Sequence, residues 1–312
     1  MVDRIKSVVL GHAVADALGV PVEFCSRAEL TERPVTEMMG FGSYPVPAGS
    51  WSDDTSMSLC ELDSLAKGPV DYDEIMRNFG KWYYDDEFTP AGELFDVGNT
   101  CSFAIHNYHE AGCSHKECGL DDGKSNGNGS LMRIHPFVLY AHYKMMPLIE
   151  WEPLIFEASA LTHAHERSKV GCGIYAYILL HLLADPNIGV VETALRRAEA
   201  HYRDNAELAH YSRMFEANFA RLGAEEIRSS GYVVDTLEAA VWCLLTTDSY
   251  KACVLKAANL GGDTDTVAAI AGGLAGALYG YNAIPKNWLD TLLKREYIEE
   301  MCERAYKIWT KE

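Results

Sequence analysis

Gly261-Gly262-Asp263-Thr264-Asp265-Thr266, followed by Val267-Ala268-Ala269-Ile270-Ala271-Gly272-Gly273, decides the fold. Two carboxylates stand at i and i+2, positions that do not face each other on a regular helix. The stretch therefore reads as a loop turning into a helix. The paired glycines permit a left-handed entry, and Thr264 or Asp265 can cap the first free N–H groups. The helix that follows is almost all Ala, Gly and Ile, so its backbone can approach its neighbours closely. A cluster of hard oxygens on such a buried base suits Mg²⁺ or Mn²⁺, whereas zinc prefers His or Cys. Taken alone, the same residues also make an ordinary acidic capping turn.

A second stretch of the same kind lies far upstream. Gly49-Ser50-Trp51-Ser52-Asp53-Asp54-Thr55 runs into the apolar-periodic Ser56-Met57-Ser58-Leu59-Cys60-Glu61-Leu62. Two such helix starts can face each other and share two cations, which in two-metal sites lie roughly 3.5–4 Å apart. Without a cation, that many carboxylates in one buried place would repel, and their pKa values would rise.

Between and around these stretches the periodicity is helical. Ile5, Val8, Val9, His12, Ala13 and Ala17 form a stripe ending at Gly19, and Pro21 then turns the chain out. Further helices are expected at 54–66, 71–84, 99–111, 130–143, 151–162, 165–184, 190–203, 205–222, 235–247, 250–259, 264–280 and 295–310. Segments 26–50 and 112–129 read as loops. No period-2 strand and no fixed repeat is evident, so the expected fold class is all-α, an orthogonal helical bundle in a single domain over residues 1–312.

Hydrophobic residues make up 48 % of the 312, and the formal charge is −18. That charge argues against general nucleic-acid binding, which needs a basic surface. The apolar runs are broken by Gly, His or Asp, so no membrane span and no signal peptide is expected. The nine cysteines are scattered without a C-x-x-C pair. Reduced thiols, a cytoplasmic location and a monomer are the expectations; zinc at Cys113, His115 and Cys118 is a minor alternative.

In order along the chain, Gly11 through Asp16-Ala17-Leu18-Gly19 to Glu23, Ser52-Asp53-Asp54-Thr55, Asp96-Val97-Gly98-Asn99-Thr100, Asn126-Gly127-Asn128-Gly129-Ser130-Leu131-Met132-Arg133 with Pro136, and Gly262-Asp263-Thr264-Asp265-Thr266 resemble the five motifs of the ADP-ribosylglycohydrolase family. Each motif is weak alone; five in order are specific. One departure is Ala15, where the family usually has Gly. The resemblance implies the same helical fold and a hydrolase that cleaves ADP-ribose from an acceptor, with two Mg²⁺ or Mn²⁺ ions. It implies Ser52, Asp53, Asp54, Asp263, Asp265 and Thr266 as metal ligands, and Glu23 and Asp96 as catalytic carboxylates. It also puts His163, in Thr162-His163-Ala164-His165, near the substrate.

Gly127, Asn128, Gly129 and Ser130 offer backbone N–H groups ahead of an expected helix, an anion site suited to a diphosphate. Asp16 reads as a buttress of its helix or a group that orients neighbouring ligands, and Arg133 as the partner of an internal acid, or else of phosphate. The expected substrate is an ADP-ribosylated protein, with a small ADP-ribose conjugate or nucleoside-like N-glycoside as the enzymatic alternative. A non-catalytic ADP-ribose-binding or crystallin-like protein is the other alternative, but such a protein has no need of the metal residues and Glu23, all of which are present.

Overall fold

The first helix, α1 (Val2–Gly19), is buried at every residue from Ser7 to Gly19. The computed structural model describes residues 2–311. In chain order there follow α2 (Arg27–Glu32), α3 (Asp53–Leu65), α4 (Tyr72–Asp85), α5 (Asn99–His109), α6 (His135–Tyr143), α7 (Leu148–Ala160), α8 (Glu166–Ala184), α9 (Gly189–Tyr202), α10 (Val233–Leu245), α11 (Tyr250–Ala258), α12 (Thr264–Tyr279), α13 (Lys286–Thr291) and α14 (Arg295–Trp309). Among the described residues there is no strand, only two isolated bridges, Leu120 with His163 and Gly127 with Tyr232. The all-α bundle is the one the periodicity predicts.

By length and composition Val2–Val22 could cross a membrane, contrary to the expectation that no run suffices; its apolar stretch is 94 % buried within the protein. Its mean hydropathy absorbs the Gly, His and Asp that seemed to break it, and its place is the centre of the bundle.

Helices α1 and α12 form the most extensive helix pair, and small residues set their separation. A Cβ on Gly11 would come within 2.7 Å of the Gly272 carbonyl, and one on Gly276 within 1.9 Å of the Ser7 carbonyl. Ala15 sits in the same seam, its methyl 2.4 Å from where a Gly272 Cβ would be. The departure from the family pattern is thus one methyl at a helix crossing that accommodates it.

The boundaries differ from expectation in four places. The predicted helix 130–143 begins only at His135, because Pro136 has no N–H to donate and fits only a first turn. Segment 26–50 carries the short α2, nucleated by a capping box between Ser26 and Glu29. Segment 205–222 winds as tight 3₁₀ turns, Ala206–Phe215 and Phe219–Arg221. Helix α13 was not expected.

Behind the site, Arg133 is wholly buried. It pairs with Glu61, donates to the Ala158 carbonyl at 3.0 Å and to Thr162 Oγ1 at 2.8 Å, and lies 5.1 Å from the Phe79 ring. The internal-acid reading of Arg133 holds.

Candidate active site

Two helix starts and three loops meet in a cleft of about 280 Å³. Gly261 and Gly262 both take positive φ, +76° and +77°. This left-handed pair lets the loop turn so that Asp263 falls just ahead of α12 and Asp265 in its first turn. The turn is clamped from both sides: Gly262 N–H donates to the Cys25 carbonyl at 2.9 Å, Phe24 N–H to the Gly262 carbonyl at 2.7 Å, and Asp263 N–H to the Ser229 carbonyl at 2.9 Å. Glu23 is thereby brought beside Asp263 and Asp265 from the other end of the chain.

Facing α12 is the start of α3. Ser52 Oγ caps it through the Asp54 N–H at 3.3 Å. Asp16 is the fastener beneath: its carboxylate accepts from Ser52 N–H at 3.0 and 3.1 Å, from Thr55 N–H at 3.2 Å and from Thr55 Oγ1 at 2.6 Å. The buttress predicted for Asp16 is therefore a lock between α1 and α3. Asp54 Oδ1 accepts from Thr266 Oγ1 at 3.3 Å, tying α3 to α12. Asp53 Oδ2 accepts from Gly98 N–H at 3.1 Å, holding the loop that carries Asp96.

The carboxylates form two tight groups: oxygens of Glu23, Asp263 and Asp265 lie within 4.8 Å of one another, and so do oxygens of Asp16, Asp54 and Asp265. Asp265 belongs to both. Glu23, Asp53, Asp96, Asp263 and Asp265 line the cleft, and no lysine or arginine does. Burial first, then repulsion from neighbouring carboxylates, raises Glu23, Asp53, Asp54, Asp96 and Asp265. Glu23 is pushed up to about 8, with Asp96 and Asp263 adding to burial. Asp53, Asp54 and Asp265 rise well above the carboxylate range. Asp16 reaches only about 6, because the Thr55 and Ser52 donors oppose burial.

Buried Asp54 Oδ2, Asp263 Oδ1 and Glu23 Oε2 have no hydrogen-bond partner among the described residues. Unsatisfied buried anionic oxygens are costly, and an all-oxygen set of this kind fits a hard divalent cation. Asp16, already saturated with donors, is the least suited of the group to bind one.

The remaining expected residues are distributed unevenly. Gly127, Asn128, Gly129 and His163 line the cleft, but the expected helix start behind them is absent, since α6 begins at His135. The Asn128 N–H is taken by the Gly231 carbonyl at 3.0 Å. Its side chain donates to Asp263 Oδ2 at 2.8 Å and to Thr236 Oγ1 at 3.0 Å, so Asn128 orients an acid. Ser130 points inward, to Ser159 Oγ at 2.9 Å and Cys172. His163 Nδ1 meets Thr162 Oγ1 at 2.8 Å, and burial, with the Arg133 charge, pushes it down to about 3, leaving a neutral ring at the cleft wall. His115 bonds Asp73 Oδ1 at 2.9 Å and Cys118 donates to carbonyls; no three-ligand cluster forms there among the described residues.

Sequence reasoning missed Tyr44. Within a segment read as loop, its hydroxyl is directed at both Glu23 and Asp96, and its ring packs on Phe95 with centroids 5.1 Å apart. The signal was only an aromatic in a Pro/Gly-rich stretch. It also missed Phe24, Asn99, Thr100 and Gly231 in the cleft wall.

An all-helical bundle whose first and last thirds deliver facing carboxylates to one cleft is a scaffold built around an acidic site. The ADP-ribosylglycohydrolase family profile matches residues 1–312, and the chain belongs to that family. It is 34 % identical over 306 residues to an ADP-ribosylarginine hydrolase, Tri1, of Serratia proteamaculans, covering 97 % of this chain and 79 % of that one. It is 33 % identical over 293 residues to the ADP-ribosyl-[dinitrogen reductase] glycohydrolase of Rhodospirillum rubrum, covering 93 % and 90 %. A solved structure described as an ADP-ribosylglycohydrolase-related protein complex superposes with a TM-score of 0.83 at 31 % identity, over 99 % of this chain and 98 % of that one.

Proposed function

We propose that this chain hydrolyses the N-glycosidic bond between ADP-ribose and an arginine side chain of a modified protein, using two Mg²⁺ or Mn²⁺ ions. The observation that carries this reading is the convergence of Glu23, Asp53, Asp54, Asp263 and Asp265 on one cleft with three buried carboxylate oxygens unpartnered. The arginine acceptor is favoured because the Serratia proteamaculans relative carries that activity in its name.

Asp53, Asp54, Asp263 and Asp265, with the hydroxyls of Ser52 and Thr266, would hold the ions. When bound, the ions would supply positive charge that orients the ribose hydroxyls, while the cleft's carboxylates stabilise the positive charge developing at the anomeric carbon. The chain's own residues do the rest. Glu23 Oε2, buried and without a partner, is placed to take a proton from the attacking water. Asp96, linked to Glu23 through Tyr44, is assigned in this reading to the acceptor side of the bond. Asn128 holds Asp263 in one orientation. Gly127 and Gly129 leave a wall without side chains, along which the diphosphate can lie.

The test is release of ADP-ribose from an arginine-modified protein, run with the metal-stripped chain and after adding back Mg²⁺ or Mn²⁺. Metal-dependent release supports the reading; full release by the stripped protein would overturn it.

A further inference from the structure

Beside Glu23 stands a residue whose conformation is unusual. Phe24 takes φ +65°, in the left-handed region that side chains with a Cβ rarely adopt. Nothing in the core rewards it, for the residue is 73 % exposed. Its backbone is fixed by the bond from its N–H to the Gly262 carbonyl, and it forms part of the cleft wall. Glycine would occupy this backbone without strain. A strained, solvent-exposed aromatic held rigidly at the rim of a site is the kind of outlier from which a functional role is inferred.

We propose that Phe24 is the platform for the acceptor side chain: its ring face receives the guanidinium of the ADP-ribosylated arginine, and so helps select arginine over small acceptors such as serine. The proposal rests on the reaction proposed above and names a determinant of its acceptor specificity. Three observations carry it. The first is position. Consecutive Cα atoms are about 3.8 Å apart, so the ring is anchored next to the carboxylate assigned to the scissile bond. Adenine lies at the far end of the ligand, beyond a diphosphate and a second ribose. The second is charge. The cleft is lined by five carboxylates and by no lysine or arginine, a field that favours a cationic acceptor. The third is surface chemistry. An exposed aromatic face attracts a planar guanidinium and covers its aliphatic stem, whereas a serine acceptor offers neither.

The test measures affinity rather than turnover. In a Glu23→Gln background, the parent, Phe24→Leu and Phe24→Trp are titrated with an arginine-linked ADP-ribosyl peptide, a serine-linked one and free ADP-ribose. Leucine keeps the apolar volume and removes the π face. The expected result is that Phe24→Leu weakens the arginine-linked peptide by about 3- to 10-fold, leaves the serine-linked peptide and free ADP-ribose unchanged, and that Phe24→Trp restores affinity. An equal loss for free ADP-ribose would place adenine against the ring and overturn the proposal. So would unchanged affinity for the arginine-linked peptide. ADP-ribose release by the unmodified protein is read separately: its absence on arginine-linked substrate removes the proposed reaction while the titrations still decide the role of Phe24.

Discussion

A single methyl group at Gly19 tests whether helix packing sets the site. Gly19 ends α1 in ordinary right-handed helical conformation, φ −80° and ψ −36°, so alanine carries no backbone strain there. Its Cβ would nevertheless lie 2.4 Å from Asp265 Cα, 2.5 Å from the Thr264 carbonyl and 2.6 Å from Asp265 N. All three are backbone atoms, and no rotamer change relieves them. Restoring ordinary contact requires the first turn of α12 to retreat by about 1 Å, in an interior packed like a crystal. Overpacking of this kind costs about 1–3 kcal/mol. A displacement of about 1 Å at a catalytic group costs on the order of 10²-fold in rate, and here the displaced residue is Asp265, shared by both carboxylate groups.

Gly276→Ala is the matched control. It clashes with the Ser7 carbonyl in the same α1–α12 seam, but about 16 Å further along α12 at 1.5 Å per residue. Both variants should melt a few degrees lower. Only Gly19→Ala should lose about 10²-fold in kcat/KM and need more Mg²⁺ for half-maximal activity. The assays are a thermal melt, ADP-ribose release and a Mg²⁺ titration on all three proteins. If Gly19→Ala melts lower yet keeps the parent's kcat/KM and Mg²⁺ dependence, the seam does not position Asp265 and the argument fails.

Further outcomes follow from the same contacts. Asp265→Asn should abolish metal-supported hydrolysis while the chain stays folded by circular dichroism; retained activity would remove it from the site. Adding millimolar Mg²⁺ to stripped protein should raise the melting temperature, because the cation relieves repulsion only in the folded state. Stripped protein should also be less stable at pH 8 than at pH 5: Glu23 is raised from 4.5 to about 8, so between those values the folded chain holds a proton that the unfolded chain has released, and stability falls as pH rises. Urea melts at the two pH values measure this, and a flat or opposite trend refutes it. Glu61→Gln leaves Arg133 charged and buried without its partner, and should destabilise the chain by about 3–5 kcal/mol in the same melts; a loss under 1 kcal/mol would show that water reaches the guanidinium.

The helices were legible because their apolar stripes are long, and the two acidic turns because Gly, Ser and Thr around paired Asp residues leave few alternatives. Glu23, singled out through the resemblance to the family's opening motif, lies beside Asp263 and Asp265. What escaped depends on contacts between distant segments. Pro136 moved a helix start by five residues, from 130 to 135, and took away the expected helix end behind Gly127–Ser130. Ser130 and Gly129 are adjacent in sequence, yet one faces the core and the other the cleft, a difference that no loop pattern reveals. Tyr44 and Phe24 matter through what lies opposite them, Asp96 in one case and Gly262 in the other, each far away along the chain.

The charges around the cleft explain why such a site should depend on external cations. Each protein cation nearby is already spent or absent. Among the described residues Arg133 is the one fully buried arginine, behind the cleft floor, and it is paired with Glu61. His12 and His135 stack at 4.4 Å beneath the site, but burial pushes His12 down to about 3 and His135 well below its usual range, so neither carries charge. His163 is neutral for the same reason. Asp16 is satisfied by neutral donors from α3, which anchor it without lending charge to its neighbours. The cleft carboxylates likewise receive only neutral donors, among them Gly98 N–H, Thr266 Oγ1 and Asn128 Nδ2, and no cation. Helix α12 can bring Asp265 between two such groups because glycines let it seat against α1. The packing that fixes the fold therefore also fixes a surplus of negative charge that a bound cation relieves.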